Sequence, residues 1–254
     1  MIIDAVSMLT FSKKITLGLG AIFFIASYFA ARFPTAIDLT LPSTAFILIQ
    51  ALPSYYYLYG WLGASRASLI LLFMSVLPTL VEAAAVLTGF PYGAFHYSDA
   101  LGFKVLNVVP WSVAFAYLPI LLGSYAVAKA LDGGSRLRAA AMSSLLVVAV
   151  DLVVDPGAVA QGLWVWAEDG AYYGVPLVNY GGWLLTGFIY SYILDALVRL
   201  GRNNDPAVPL ELSSSLMMIT LFWTGFSLWN GLLIPMLIGA VISVLLGIFQ
   251  MRSE

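Results

Sequence analysis

The sequence contains no cysteine and a single histidine, and only 9% of its 254 residues are charged. The lack of cysteine excludes disulfides, thiolate nucleophiles and cysteine-based metal sites. The lone histidine, His96, cannot supply the histidine pair of a haem site or of a common zinc site. A soluble domain carries about 25% charged residues, so this chain lacks the charge to cover a water-facing surface. No basic stripe is present either, so nucleic-acid binding is not expected.

Apolar residues dominate what is present, at 61% of the chain with a mean hydropathy of +0.95. This composition is typical of an all-α, polytopic membrane protein, here a single integral-membrane domain over 1–254 in the cell membrane. At about 20 residues per span, the length fits seven or eight transmembrane helices, and eight is preferred. The apolar runs predict spans at 15–32, 41–62, 67–89, 107–130, 137–155, 181–200, 213–229 and 232–249.

The basic residues predict the orientation of these spans. Cytoplasmic segments of membrane proteins carry an excess of Lys and Arg. With both termini in the cytoplasm, nine of the 11 basic residues lie inside, and only Arg32 and Lys104 lie outside. The nine are Lys13, Lys14, Arg66, Lys129, Arg136, Arg138, Arg199, Arg202 and Arg252. The same topology places two long segments, 90–106 and 156–180, on the outer side.

Glu82 stands inside the third predicted span among apolar and small residues. An ionised carboxylate is costly in hydrocarbon, so this side chain should face the bundle interior, be paired or be protonated. Two interpretations remain open. One is a carboxylic acid kept neutral so that it can donate a proton, and the other is a structural hydrogen bond or ion pair between helices. The first is favoured, because acids within membranes are functional by default.

Asp151 and Asp155 are spaced i, i+4 and therefore share one helix face. Two like charges repel there, which favours keeping one of them protonated. Pro156 cannot continue the helical hydrogen bonds and disfavours helical geometry at the residue before it, so the helix is predicted to end at Asp155. The pair fits a proton donor and base, a metal-binding pair, or a helix-end hydrogen bond. A metal is not expected, because carboxylates alone would need phosphate or water as co-ligands for Mg²⁺.

Aromatic residues crowd the two outer segments. They are typical of packing and of the membrane interface, but they also suit a tunnel for a long apolar ligand, and aromatic faces stabilise cations. His96 is either a polar group near Glu82 or an interfacial residue. The aromatic residues in question are Tyr92, Phe95, Tyr97, Trp164, Trp166, Tyr172 and Tyr173.

The motifs of this region together resemble one protein family. They comprise Glu82, 88–97 (TGFPYGAFHY), 101–102 (LG), 109–110 (VP), Asp151, 155–156 (DP), 162–166 (GLWVW), 170–176 (GAYYGVP), Asn179 and 182–183 (GW). Over about 81–183 the chain resembles the integral-membrane carotenoid-biosynthesis proteins, the carotenoid 1,2-hydratases, which include the bisanhydrobacterioruberin hydratases. One departure is Tyr117, where a tryptophan is expected in the fourth span.

The resemblance implies a cofactor-free addition of water across the terminal C1=C2 bond of an acyclic carotenoid ψ-end. Asp155 or Glu82 is the expected acid, with Asp151 assisting. The residues expected to position substrate and water are His96, Tyr92, Tyr97, Trp164, Trp166, Tyr172, Tyr173 and Asn179. The expected partners are a long apolar carotenoid, the lipid bilayer and other enzymes of carotenoid biosynthesis, with no metal.

Other functions fit the same features. A carotenoid end-group cyclase or an elongase uses similar cation chemistry on the same substrates. A carotenoid- or lipid-binding membrane protein would need the apolar tunnel without turnover. A proton-coupled transporter would use the acids as a relay, although transporters often show internal repeats and none is evident here.

Overall fold

Eight α-helices account for most of the described residues of the computed structural model, which are 2–33, 40–132, 135–200 and 207–252. The helices are α1 Ile2–Arg32, α2 Thr40–Leu62, α3 Ala64–Thr88, α4 Val113–Leu131, α5 Arg136–Ala160, α6 Leu177–Arg199, α7 Ser214–Trp229 and α8 Leu233–Arg252. Four short strands complete the fold: β1 Phe95–Tyr97, β2 Lys104–Val105, β3 Val109–Pro110 and β4 Trp164–Trp166. The predicted all-α, multi-helix architecture is confirmed.

Seven of these helices are long and apolar enough to cross a membrane, judged over the described residues. The helix outside this set is α2, which carries Gln50, Ser54 and the tyrosines at 55–57. Large apolar side chains cover the outward faces, such as Leu72 at 65% exposure and Val244 at 62%. Such faces suit acyl chains rather than water, so the chain is a multi-pass membrane protein.

The helices form two groups that share α5. One group places α7 against α1, α8 and α5, and the segment containing α7 is the most enclosed of the candidate spans. In the other group, α3, α4, α5 and α6 contact one another. At one end of this second group lie the two non-helical segments 89–112 and 161–176, and we call this the outer end. The opposite end, where α4 turns into α5, is the inner end.

Some of the predicted element boundaries are wrong. Helix α4 begins at Val113 rather than at 107, and α6 begins at Leu177 rather than at 181. Helix α5 passes through Asp155 and ends at Ala160, with Pro156 inside it. Among the basic residues used to predict orientation, Arg202 and the side chains of Lys13 and Arg252 lie outside the described part of the structure.

Tyr172 explains why α5 does not end at Pro156. A proline inside a helix leaves the carbonyl four residues earlier without its N–H partner, and here that carbonyl belongs to Leu152. The Tyr172 hydroxyl donates a hydrogen bond to it at 3.1 Å. Gly157, the next residue, packs beneath Trp223, and a Cβ there would come within 2.5 Å of the indole ring. The helix therefore continues for one more turn, and Asp155 lies within it.

Strands β1 and β4 pair antiparallel and join the two outer segments over the outer end of the bundle. Side chains alternate between the two faces of a strand. Phe95, Tyr97 and Trp166 are buried, whereas His96 and its partner Val165 are exposed. The strand pair therefore turns its aromatic side chains inward and His96 outward.

Candidate active site

A cavity lies between α3, α4, α5 and α6, below the β1–β4 pair. It contains about 690 Å³ of space free of protein atoms, part of it open to the outside. The lining residues are Glu82, Tyr92, Phe95, Tyr97, Val113, Ala116, Tyr117, Ile120, Val147, Asp151, Val154, Asp155, Trp164, Trp166, Asn179 and Trp183. The partly exposed part of this lining comes mainly from α4 and α5, so the accessible side of the cavity lies along these two helices.

The structure brings most of the predicted site residues together at this cavity. All three predicted catalytic carboxyl groups line it, and so do five of the positioning residues: Tyr92, Tyr97, Trp164, Trp166 and Asn179. Three others lie elsewhere. His96 is on the exposed face of β1, Tyr172 binds the backbone of α5, and Tyr173 accepts a hydrogen bond from the backbone N–H of Ile234.

Asp151 and Asp155 are bridged by Asn179, which lies in the first turn of α6. The Asn179 Nδ2 atom donates to Oδ2 of Asp151 at 3.2 Å and also to Oδ2 of Asp155. Asp155 also lies close enough to Asp151 and Trp164 to interact with both. Asp155 is deeply buried, whereas Asp151 is partly accessible from the cavity. The two carboxyl groups are therefore linked through Asn179 and both line the cavity, with Asp151 the more accessible of the two.

Glu82 approaches from α3, on a different wall of the cavity. Its Oε2 accepts a hydrogen bond from the Tyr97 hydroxyl at 2.9 Å. Burial, and then the nearby carboxyl of Glu82, raise the pKa of the Tyr97 phenol well above its usual value, so this hydroxyl remains a donor at neutral pH. Glu82 also interacts electrostatically with Asp155 and Asp151. No Lys or Arg is among the described residues that line the cavity.

Stacked aromatic rings form the wall next to these carboxyl groups. The Trp183 indole lies between Tyr92, at a centroid distance of 4.5 Å, and Tyr117, at 4.9 Å. Gly182 permits this arrangement, because a Cβ there would come within 2.6 Å of the Pro91 carbonyl oxygen. The cavity therefore combines a few polar groups with a wide apolar and aromatic surface, which is typical of a site for a small or elongated apolar ligand.

Two cavity residues, Tyr117 and Trp183, were not predicted as site residues. Tyr117 lies on one face of α4 with Val113, Ala116 and Ile120, at the spacing expected for neighbours along a helix. Trp183 follows Asn179 by four residues on α6, so it lies on the same helix face. This spacing is the signal that points to both residues once the outer ends of the helices are known.

Another buried carboxylate, Asp195 on α6, was also absent from the sequence-based set. It is only 1% exposed and lies at the inner end, where it accepts hydrogen bonds from Tyr125, Arg136 and Arg199 at 2.7–2.9 Å. The Lys129 ammonium is 3.8 Å from its Oδ1. The i, i+4 spacing of Asp195 and Arg199 is the sequence feature that could have identified this ion pair. Unlike the cavity carboxyls, Asp195 is surrounded by cations, which indicates a structural role.

Comparisons with known proteins cover the part of the chain that forms the cavity. A family model described as carotenoid biosynthesis protein matches residues 43–246, which include every residue that lines the cavity. A curated relative, the bisanhydrobacterioruberin hydratase of Haloarcula japonica, is 35% identical over 185 residues. That match covers 70% of this chain and 61% of the relative, so the chain spans less than two thirds of the relative's length. No solved structure matches the chain.

Proposed function

The chain belongs to the carotenoid biosynthesis protein family, and we propose that it is a carotenoid hydratase. In this proposal it is a hydro-lyase that adds water across the terminal C1=C2 bond of an acyclic carotenoid ψ-end, acting in the cell membrane beside other enzymes of the same pathway. The name of its relative supports the activity. The observation that carries the proposal is the cavity, in which carboxyl groups on two walls face an otherwise apolar and aromatic space.

The proposed reaction begins with proton transfer from a carboxyl group to C2 of the alkene. Asp151 suits this role best, because it is the more accessible of the two aspartates, while Asp155 is deeply buried and accepts a hydrogen bond from Asn179. Asn179 then holds Asp151 in place and stabilises the carboxylate that it becomes, whereas the neighbouring acid Asp155 favours the protonated form of Asp151 before the transfer. This assignment makes Asp155 a supporting residue, whereas the sequence favoured Asp155 or Glu82 as the acid. General acid catalysis of this kind contributes about 10²–10⁴-fold to a rate.

Protonation at C2 leaves a tertiary cation at C1. The aromatic residues Trp183, Tyr92 and Trp166 border the cavity, and aromatic rings attract cations. The carboxylates add to this stabilisation, since no cationic side chain lines the described cavity wall to offset them.

Water then completes the addition. Its oxygen forms a bond to C1, one of its O–H bonds breaks, and the released proton passes to a carboxylate. Glu82 suits this role, because it lies on α3 while the proton donor lies on α5, so the cation is held between the two groups. The proton then returns from Glu82 to Asp151, so the net change is one alkene and one water consumed and one tertiary alcohol formed. The oxidation state does not change, so no redox cofactor is required.

Pigment conversion tests the proposal. The full chain is produced in cells whose membranes contain an acyclic carotenoid with ψ-ends, and the extracted pigments are analysed by mass spectrometry. We expect a product heavier by one water for each end that reacts. Unchanged pigment, with the protein present in the membrane, would refute the proposal. A product of unchanged mass but altered spectrum would indicate a cyclase, and a gain of a prenyl unit would indicate an elongase.

A further inference from the structure

The Tyr117 hydroxyl is a buried polar group at the cavity wall without a hydrogen-bond partner among the described residues. The residue is only 7% exposed. Its ring is fixed by stacking on Trp183 at a centroid distance of 4.9 Å and by an edge contact with Tyr190 at 5.6 Å. Because the ring is held on two sides, packing determines the position of the hydroxyl.

The other two tyrosines of the cavity are different. The Tyr97 hydroxyl donates to Glu82, and the Tyr92 hydroxyl donates to Thr186 at 3.0 Å. Buried polar groups in native proteins are nearly always paired, and an unpaired one needs an explanation. Tyr117 lies in the cavity wall, which suggests that its hydroxyl pairs with a ligand atom that enters the cavity.

The chemistry of the reaction limits what that ligand atom can be. The reacting end of an acyclic carotenoid is a hydrocarbon and offers no hydrogen-bonding atom. The polar atom that does enter the site is the oxygen of water, and the same oxygen becomes the hydroxyl group of the product. Tyr117 lines the same cavity as Asp151 and Glu82 and interacts electrostatically with both.

We propose that Tyr117 is a water-positioning residue, whose hydroxyl binds the water that attacks C1 of the cation. This inference rests on the proposed hydratase function. Tyr117 keeps its own proton throughout. It fixes the water oxygen while the bond to C1 forms, and the proton that the water loses passes to a carboxylate and not to the phenol.

The proposal makes a specific prediction about what the cation does without Tyr117. A cation that meets no positioned water lasts longer and can lose a proton instead, which restores an alkene. In D₂O the acid delivers deuterium to C2, so this return leaves deuterium in recovered, unhydrated carotenoid. The ratio of deuterated alkene to hydrated product therefore reports how the cation divides between return and capture by water.

The experiment measures that ratio in membranes containing the full chain, with a ψ-end carotenoid as substrate in D₂O. Tyr117→Phe removes the hydroxyl and keeps the ring, and it should raise the ratio about tenfold, the effect of losing one hydrogen bond. Tyr117→Leu is measured in parallel, so that the result does not depend on the folding of one variant, and it should raise the ratio similarly. Tyr190→Phe is the matched control, because it removes a hydroxyl from the neighbouring ring, which does not line the cavity, and it should leave the ratio unchanged.

Each outcome bears on a different statement. If the Tyr117 variants lower deuteration and hydration in proportion, the residue has only a structural role and the inference is overturned. An equal rise of the ratio in Tyr190→Phe would overturn it as well. Failure of the proposed function is distinguishable, since the unmodified chain would then form no hydrated product at all.

Discussion

Asp151 is the residue whose replacement tests the chemistry most directly. Asp151→Asn keeps the size of the side chain and the contact to Asn179 but removes the proton that the alkene must receive. We expect hydration per folded protein to fall by about 10²–10⁴-fold, the usual contribution of a general acid. The measurement is the yield of hydrated carotenoid against protein level in the membrane.

His96→Ala provides the control for Asp151→Asn. His96 lies on the exposed face of β1, away from the cavity, so its loss should leave conversion within about twofold of the unmodified chain, as for most surface substitutions. Undiminished hydration in Asp151→Asn would remove this residue from the acid role and leave Glu82 as the candidate.

The sequence was a better guide to the positions of the carboxyl groups than to the position of His96. The three carboxyl groups interrupt apolar runs, where an ionised side chain is costly. All three line one cavity: Glu82, Asp151 and Asp155. The outward direction of His96 depends on a three-residue strand whose partner, β4, lies about 70 positions later in the chain. No local pattern reveals such a pairing, so sequence proximity to Glu82 was a poor guide to the direction of this side chain.

At the scale of elements, the continuation of α5 past Pro156 depends on the hydrogen bond from Tyr172 to Leu152. Burial raises the pKa of Tyr172 to about 12, so the hydroxyl remains a donor over the whole physiological range. Tyr172→Phe should lower the free energy of unfolding by about 1 kcal/mol, because the freed carbonyl then has no donor. Thermal unfolding of the purified protein measures the change.

A second substitution separates this explanation from a general packing effect. Pro156→Ala restores a backbone N–H to the Leu152 carbonyl, so Tyr172→Phe should cost less in that background than in the natural sequence. The difference between the two costs is a double-mutant coupling energy. Equal costs in both backgrounds would show that the hydroxyl does not compensate for the proline.

Gly182 is where the outer segment meets α6. A Cβ at this position would come within 2.6 Å of both the Pro91 carbonyl oxygen and the Tyr92 ring. Gly182→Ala should therefore displace Tyr92 from Trp183. The overpacked contact should lower the free energy of unfolding by about 1–3 kcal/mol, and conversion should fall as well. Gly181→Ala is the matched control, since a Cβ there meets nothing within 4 Å, and it should leave both quantities unchanged or improve stability. Equal effects of the two substitutions would exclude the close contact as the cause.

The long apolar runs were sufficient to predict the helices, because a membrane span requires about 20 such residues whatever its partners are. The ends of α4, α5 and α6 were less predictable. They depend on contacts such as that of Tyr172 with α5, which is 20 residues distant in the chain. The outer segment predicted at 156–180 is therefore longer than the structure has it, whereas the one predicted at 90–106 is shorter.

At the scale of the whole molecule, the buried ionic cluster around Asp195 and the candidate active site occupy opposite ends of the helix bundle. Asp195→Asn removes the carboxylate that faces Arg136, Arg199 and Lys129 at the inner end. Loss of one partner from a buried ionic cluster typically costs 3–5 kcal/mol, so we expect a clearly lower unfolding temperature and less protein in the membrane.

Conversion per folded molecule should be unaffected by Asp195→Asn, since the cavity residues lie at the outer end. Activity and unfolding temperature are measured on the same membrane preparation. Asp151→Asn is measured in parallel, because it should lower conversion per folded molecule. Loss of turnover in the protein that remains folded would contradict the separation of the two ends.

Under the proposed hydratase function, the cavity along α4 and α5 also limits how a symmetric polyene is processed. It is bounded by α3 and α6 and has room for one terminus, while the remainder of a long, stiff chain extends outside. Once that terminus carries its alcohol, the molecule must leave, turn end for end within the bilayer and enter again before the other terminus reacts. Turnover is then distributive, and the singly modified pigment is a free species in the membrane, open to any other enzyme that recognises the untouched end.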